Sequence, residues 1–182
     1  MNRKLIEEGV SLILKGMNVD LSDHNFTDTP KRYAKAVDEL FLQHSGEPTT
    51  FVESYTDFVL VRGHELHTLC PHHLLPVRML VSLAYIPDGR VLGLSKLVRI
   101  MQQANVGPIM QERFTYSVRE KLEYSLRMQQ KGICVLVEGW HGCMALRGVK
   151  SQASTVTMAT SGEFAVDYKM LDRFLLLTRG GK

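Results

Sequence analysis

Cysteine is scarce in this sequence, three residues among 182. A low, odd count excludes a disulfide framework and fits a reducing compartment, so cohesion has to come from an ordinary hydrophobic core. Charge of one sign is also lacking: 22 lysines and arginines face 19 acidic residues, and the net +3 is too mild by itself to argue for nucleic acid. No apolar run approaches the ~20 residues that span a bilayer. The longest, Met79 to Ile86, is interrupted by Ser82 and stopped by Pro87-Asp88-Gly89. The N-terminus turns acidic at Glu7-Glu8 and has no signal-peptide core, which predicts a cytoplasmic protein. Rossmann and P-loop readings have no glycine motif to stand on, and there is no internal repeat. What the composition does offer is histidine, 7 residues in a small chain. Histidine beside cysteine directs attention to metal ligation.

The N-terminal quarter reads as helical. Leu5, Ile6, Val10, Ile13 and Leu14 recur at helical spacing before Gly16, and Thr29-Pro30 opens a second helix with Tyr33, Ala36, Val37, Leu40 and Phe41 on one face. That helix is expected to end near Ser45-Gly46-Glu47-Pro48. Strands are predicted over Phe51–Arg62, Val77–Pro87, Gly132–Trp140 and Ala153–Thr160, with a short extended piece at Val91–Leu94. Ser95 is expected to cap a helix broken by Gly107-Pro108. A longer helix follows from about Ile109 to Met128, and a last one runs from Asp167 to Leu177. Strands and helices segregated in this way describe an α+β domain with antiparallel pairing.

Two short segments carry the metal chemistry. Cys70 and His73 in Cys70-Pro71-His72-His73 have two residues between them, a compact zinc-ligand spacing. Downstream, Trp140-His141-Gly142-Cys143 ends a predicted strand, where His141 and Cys143 would share a face. Cys70, His73 and Cys143 would make three protein ligands and one open position, the pattern of a catalytic rather than a structural zinc. His72 and His141 would then lie within reach as proton carriers. On spacing alone, coincidence is an equal alternative, since cysteine is commonly a small buried hydrophobe; Cys134, between Ile133 and Val135, reads as core. Lys96 and Arg99 near a helix start, Arg147, and Arg32 and Lys35 supply cations suited to a polyphosphate, although each taken singly reads sooner as a solvated surface charge. Gln111-Glu112 offers an amide and a carboxylate, the groups that a guanine edge needs, but alone the dipeptide says almost nothing.

In combination these residues resemble a known family, the type I GTP cyclohydrolases, zinc enzymes that open pterin and folate synthesis. The matching stretches are Thr29-Pro30-Lys31-Arg32, Cys70-x-His72-His73-Leu74-Leu75-Pro76, Ala84-Tyr85-Ile86-Pro87, Gly93-Leu94-Ser95-Lys96-Leu97-x-Arg99-Ile100, Gln111-Glu112-Arg113, His141-x-Cys143 and Arg147-Gly148-Val149. They stand in family order over about Thr29 to Phe164.

The resemblance implies a tunnelling fold: an antiparallel four-stranded sheet with two antiparallel helices on one face, in a domain over 46–182 preceded by a helical element over 1–45. It also implies a homodecamer of two stacked pentameric rings with active sites at subunit boundaries. Carried over by position, Cys70, His73 and Cys143 would hold zinc, and His72 and His141 would move protons. Glu112, helped by Gln111, would hold the guanine of GTP. Lys96, Arg99, Arg147, Arg32 and Lys35 would grip the triphosphate, with Ser95 near the ribose. The reaction implied is hydrolytic opening of the imidazole ring at C8, release of formate and rearrangement to 7,8-dihydroneopterin triphosphate. Two departures stand out. Pro71 occupies a position where the family normally has glutamate, and Val106-Gly107-Pro108-Ile109-Met110 replaces a stretch that tends to carry paired arginines. They leave open a related tunnelling-fold enzyme acting on another purine or pterin, and a non-catalytic nucleotide-binding assembly.

Overall fold

The computed structural model describes residues 1–41 and 49–179. The expected end of the second helix at 45–48 and the expected domain boundary at 45/46 lie outside the described residues. The chain divides into two compact units, Met1–Leu42 and Gln43–Lys182. Among the described residues no helix is long and apolar enough to cross a membrane.

The first unit holds α1 (Arg3–Gly16) and α2 (Thr29–Leu40). Asn2 caps α1 by accepting from the Leu5 N–H at 3.2 Å, and Pro30 sits in the first turn of α2, where its missing N–H costs nothing.

In the second unit, β1 (Thr50–Val52) pairs with β4 (Arg90–Leu92) as a small antiparallel sheet. The main sheet is four-stranded and antiparallel, in the order β2 (Val59–Leu69), β3 (Pro76–Pro87), β5 (Gln130–His141), β6 (Thr155–Gly162). The strand expected over Phe51–Arg62 is thus two strands separated by an irregular stretch, 53–58. The second of them continues to Leu69 because the register shifts between Val61 and His64, where Gly63 takes a φ of +64° that favours glycine.

Both faces of this sheet are buried, by different elements of the same chain. Met79, Val81, Leu83 and Tyr85 of β3 and Ile133, Val135 and Val137 of β5 pack against α3 (Leu94–Ala104) and α4 (Gln111–Ser125). The alternate residues, Ala84, Ile86, Cys134 and Leu136, pack with Phe58, Phe164 and Phe174. The last two come from the short helix α6 (Glu163–Val166) and from α7 (Tyr168–Arg179). A strand covered on both faces has no polar side to show, so β3 and β5 read as continuous apolar runs rather than alternating ones. The four-stranded antiparallel sheet with α3 and α4 on one face is the tunnelling-fold arrangement that the resemblance implies. Cys134 is fully buried, and burial pushes its thiol up to about 12, which makes it an inert core residue as expected.

Helix boundaries differ at their ends. Ser95 lies inside the first turn of α3 and Gly93 is the cap; α4 begins two residues later than expected, at Gln111. Asp167, expected to open α7, caps it instead: its Oδ1 accepts from the N–H of Lys169 at 2.9 Å.

One ion pair secures α7. Arg173 Nη2 donates to Asp57 Oδ2 at 2.9 Å, and the guanidinium lies over the Phe58 ring. The Arg173 bond, with the Phe58 N–H, holds the Asp57 carboxyl below the usual carboxylate range. A folded-state pKa below the unfolded one stabilises above the unfolded value, and that stability is lost as pH falls through the folded value. Asp57→Asn is therefore expected to lower the melting temperature at neutral pH, by a small amount because the pair is half-exposed. The difference from the native protein should shrink below the ordinary carboxylate range; a gap that stays constant across the acid limb of a thermal-unfolding series would contradict it.

Candidate metal centre

Four pieces of chain meet at one end of the main sheet. The β2–β3 hairpin turns at 70–75, just past its last pair, Leu69 with Pro76. The end of β5 lies beside it, with Val77 opposite His141. The chain then turns at once into a short helix, α5 (Gly142–Ala145). The start of α4 is drawn to the same end by the Ile109 N–H, which donates to Leu69 O at 3.3 Å.

The ligand turn is closed by two backbone bonds, Leu74 N–H to Cys70 O at 2.8 Å and Cys70 N–H to Leu75 O at 2.9 Å. Neither uses a donor at position 71, so Pro71 fixes φ there without unmaking anything in the turn. On the other side, Gly142 is required: a Cβ would lie 2.8 Å from Pro76 O. Its absence lets α5 press onto β3 and carry Cys143 toward Cys70. The expectation that His141 and Cys143 share a strand face is thereby corrected. His141 is the last residue of β5 and Cys143 is already helical, and close approach at Gly142 brings them to one place.

Cys70, His73 and Cys143 each offer a donor atom within 4.8 Å of the others, a group that could hold a metal ion. Cys70 Sγ lies 3.7 Å from His73 Nδ1. Bonds of about 2.3 Å to sulfur and 2.0–2.1 Å to nitrogen, at a tetrahedral angle, would set those donors about 3.6 Å apart, so the pair fits a tetrahedral ion without rearrangement. Burial and the neighbouring Cys70 push the Cys143 thiol up, while the Arg147 charge pulls it down. A cation bound there would take both sulfurs as thiolates.

Around the donor set is a cavity of about 180 Å³, whose lining includes Cys70, Pro71, His72, Gln111, Glu112, His141 and Cys143. Of the other expected site residues, Arg147 reaches the donor set rather than the cavity lining, its Nη1 2.7 Å from His73 Nε2. Ser95, Lys96 and Arg99 do not line the cavity; Leu94, next to them, lines a separate one with Tyr55 and Tyr85. Arg32 and Lys35 belong to the N-terminal unit, where they pair along α2 with Asp28 at 3.3 Å and Glu39 at 3.6 Å.

Gln111 departs from expectation. Its side chain is buried, with Nε2 3.0 Å from each of Val137 O, Thr155 O and Thr157 Oγ1. Two carbonyls can only accept, so the amide orientation is fixed and Oε1 must face His141 Nε2, at 2.8 Å. The bonds close on themselves: Gln111 donates to Thr157, Thr157 to Thr115 at 2.7 Å, and Thr115 to the Gln111 carbonyl at 2.7 Å. The amide is thus committed inside the protein and is not available to a guanine edge. Its effect is to hold His141 with a proton on Nε2 and the lone pair on Nδ1. Burial keeps His141 below its ordinary pKa, with the exposed Glu112 carboxylate pulling the other way, so the neutral ring is favoured.

Thr115, Thr157 and Gly139, which surround the Gln111 side chain, are positions that sequence reasoning missed. The threonine-rich strand was visible, but seeing Thr157 beside Gln111 needs the β5–β6 register, in which Val137 faces Thr157.

Fold and donor set together describe an α+β protein with a site of the kind used for metal-assisted hydrolysis. The family model for GTP cyclohydrolase I matches residues 6–179. The chain is 40% identical over 185 residues to GTP cyclohydrolase 1 of Sulfurihydrogenibium sp. (strain YO3AOP1), covering 100% of this chain and 98% of that protein. It is 37% identical to GTP cyclohydrolase 1 of Aquifex aeolicus (strain VF5), with 99% and 98% covered. It is 39% identical to that of Bacillus pumilus (strain SAFR-032), with 92% and 91% covered. This chain belongs to the GTP cyclohydrolase I family.

Gly139 gives a direct test of the Gln111–His141 bridge. A Cβ there would lie 2.0 Å from Gln111 Oε1 and 3.0 Å from His141 Nε2. Because the amide cannot swing aside without breaking its other bonds, Gly139→Ala is expected to cost about 1–3 kcal/mol in chemical denaturation. A variant as stable as the native protein would show that the bridge is not rigid.

Proposed function

We propose that the protein is a zinc-dependent GTP cyclohydrolase I, converting GTP and water into formate and 7,8-dihydroneopterin triphosphate. The observation that carries the reading is the Cys70–His73–Cys143 donor set, whose two cysteines line a cavity together with His72, His141 and Glu112. Cys70, His73 and Cys143 would hold the zinc, which when bound supplies a Lewis acid that acidifies water at neutral pH. Water adds at C8 of the purine, a second hydrolysis releases formate, and the opened chain closes again with loss of water.

His141 takes up a proton at Nδ1, the nitrogen that Gln111 leaves free, and passes it to a ring nitrogen as the imidazole opens. His72, exposed at the rim with Nδ1 3.9 Å from Cys70 Sγ, exchanges protons with solvent. Glu112 accepts from the guanine edge, and Arg147 holds phosphate oxygens. On this reading Ser95 lies near the ribose, and Lys96, Arg99, Arg32 and Lys35 grip the triphosphate, in a site completed by another copy of the chain. Two observations support shared sites. The cavity of about 180 Å³ is smaller than the ~300 Å³ at which ligand pockets usually begin. The outer strands of the main sheet, β2 and β6, have no further strand beside them among the described residues. A decamer of two five-membered rings, working in the reducing cytoplasm that keeps Cys70 and Cys143 as thiols, completes the reading.

Purified protein given zinc and GTP is expected to release formate and to yield a fluorescent pterin after oxidation. Chelation should abolish turnover, and His72→Ala or His141→Ala should lower kcat by roughly 10²–10⁴. GTP left intact by zinc-loaded, assembled protein would sink the proposal, and preference for another purine would redirect it. Sedimentation should give a mass of about ten chains; a fully active monomer would overturn the shared site.

A further inference from the structure

Between Glu138 and Glu163 the chain has no acidic residue, and its fixed charges there are two cations, Arg147 and Lys150. Arg147 has a place in the function proposed above; Lys150 has none. Both are exposed and stand on the connection from α5 to β6, residues 146–154. That connection leaves from Met144 and returns at Thr155, and both of these residues line the cavity of about 180 Å³.

Hydrogen bonds fix the shape of this loop. Lys150 N–H donates to Arg147 O at 3.2 Å, closing a tight turn whose first corner, Gly148, has a φ of +59° that favours glycine. Ser151 N–H returns to Met144 O at 3.0 Å. Trp140, the sole tryptophan, donates from Nε1 to Gln152 Oε1 at 3.0 Å and pins the returning limb to the end of β5. A turn closed in this way sets the Cα atoms of its first and last residues within about 7 Å, so Arg147 and Lys150 are held side by side. Lys150 itself has a φ of +49°, a left-handed backbone that lysine seldom adopts. Among the described residues neither cation pairs with a carboxylate, and the N–H groups of Gly148 and Val149 between them have no backbone partner. Like charges held together on strained backbone destabilise a loop. An anion with several oxygens would relieve that repulsion.

We propose that Lys150 is a further substrate-binding residue, which grips the polyphosphate of the nucleotide together with Arg147. This rests on the function proposed above. The two cations divide the work by their shapes. The guanidinium fork takes two oxygens of one phosphoryl group, and the ammonium, a point charge, meets an oxygen of the next. The pair therefore favours a chain of phosphoryl groups over a single one.

Calorimetric titration of the purified, assembled protein with inorganic tripolyphosphate, in buffer without free metal ions, reads the site directly, and KM for GTP reads it in the reaction. Lys150→Met is expected to weaken tripolyphosphate roughly 10-fold and to raise KM for GTP by a similar factor, with a smaller change in kcat. Lys150→Arg should restore most of both. Lys169→Met, which removes an exposed lysine at the start of α7, should change the affinity by less than about 2-fold at physiological ionic strength, where a distant charge is screened. Equal tripolyphosphate affinity in Lys150→Met, an equal loss in Lys169→Met, or no binding of tripolyphosphate by the native chain would each overturn the proposal. A loss confined to tripolyphosphate, with KM for GTP unmoved, would assign the loop to free polyphosphate and overturn its place at the nucleotide. Any of these in protein that turns over GTP leaves the function proposed above intact. Native protein that binds tripolyphosphate through Lys150 and leaves GTP unchanged would overturn that function and keep the anion site.

Discussion

The pairing of β3 with β5, in the register that sets Val77 opposite His141, fixes where both halves of the donor set come to rest. Cys70 and His73 sit on the turn that leads into β3, and Cys143 on the turn that leaves β5. A slip of one residue would send His141 to the other face of the sheet and move Cys143 along it. The register is held because both strands are buried on both faces, with Met79, Val81 and Val137 committed to α3 and α4, and Ala84, Ile86 and Cys134 committed to α6 and α7. Core packing and ligand placement are therefore the same constraint.

Around that pairing the site is built by close approach. Gly142 lets α5 lie on Pro76, and Gly139 leaves room for the Gln111 amide. Gln111, Thr115 and Thr157 satisfy one another and point a single oxygen at His141. Thiols and an imidazole thus supply the donor atoms, while a buried polar network fixes the orientation of His141 beside them.

The donor set was legible only in part: Cys70 and His73 stand at chelating spacing, but spacing alone left coincidence an equal alternative, and it is the resemblance carried by the ordered motifs that joins Cys143 to them. The four strands and the helices α3, α4 and α7 were legible from apolar pattern. Other features depend on partners that a single sequence does not display. The role of Gln111 is set by Val137, Thr155 and Thr157, which lie 26 to 46 residues away in the chain. The break between β1 and β2 sits in a stretch whose aromatic and β-branched residues favour strand locally, and the glycine that prolongs β2 marks a bulge rather than an end. The short helix at Cys143 follows from contact between Gly142 and Pro76, which the extended reading of Trp140–Cys143 could not contain.

The proposed chemistry turns on whether Cys70, His73 and Cys143 jointly hold one zinc ion. X-ray absorption at the zinc edge decides this, because it counts the scatterers by element. Joint ligation gives one zinc per chain with two sulfurs at about 2.3 Å and nitrogen or oxygen at about 2.0–2.1 Å, and loss of one sulfur in Cys143→Ser. A first shell of nitrogen and oxygen alone, or a spectrum unchanged by Cys143→Ser, would contradict it.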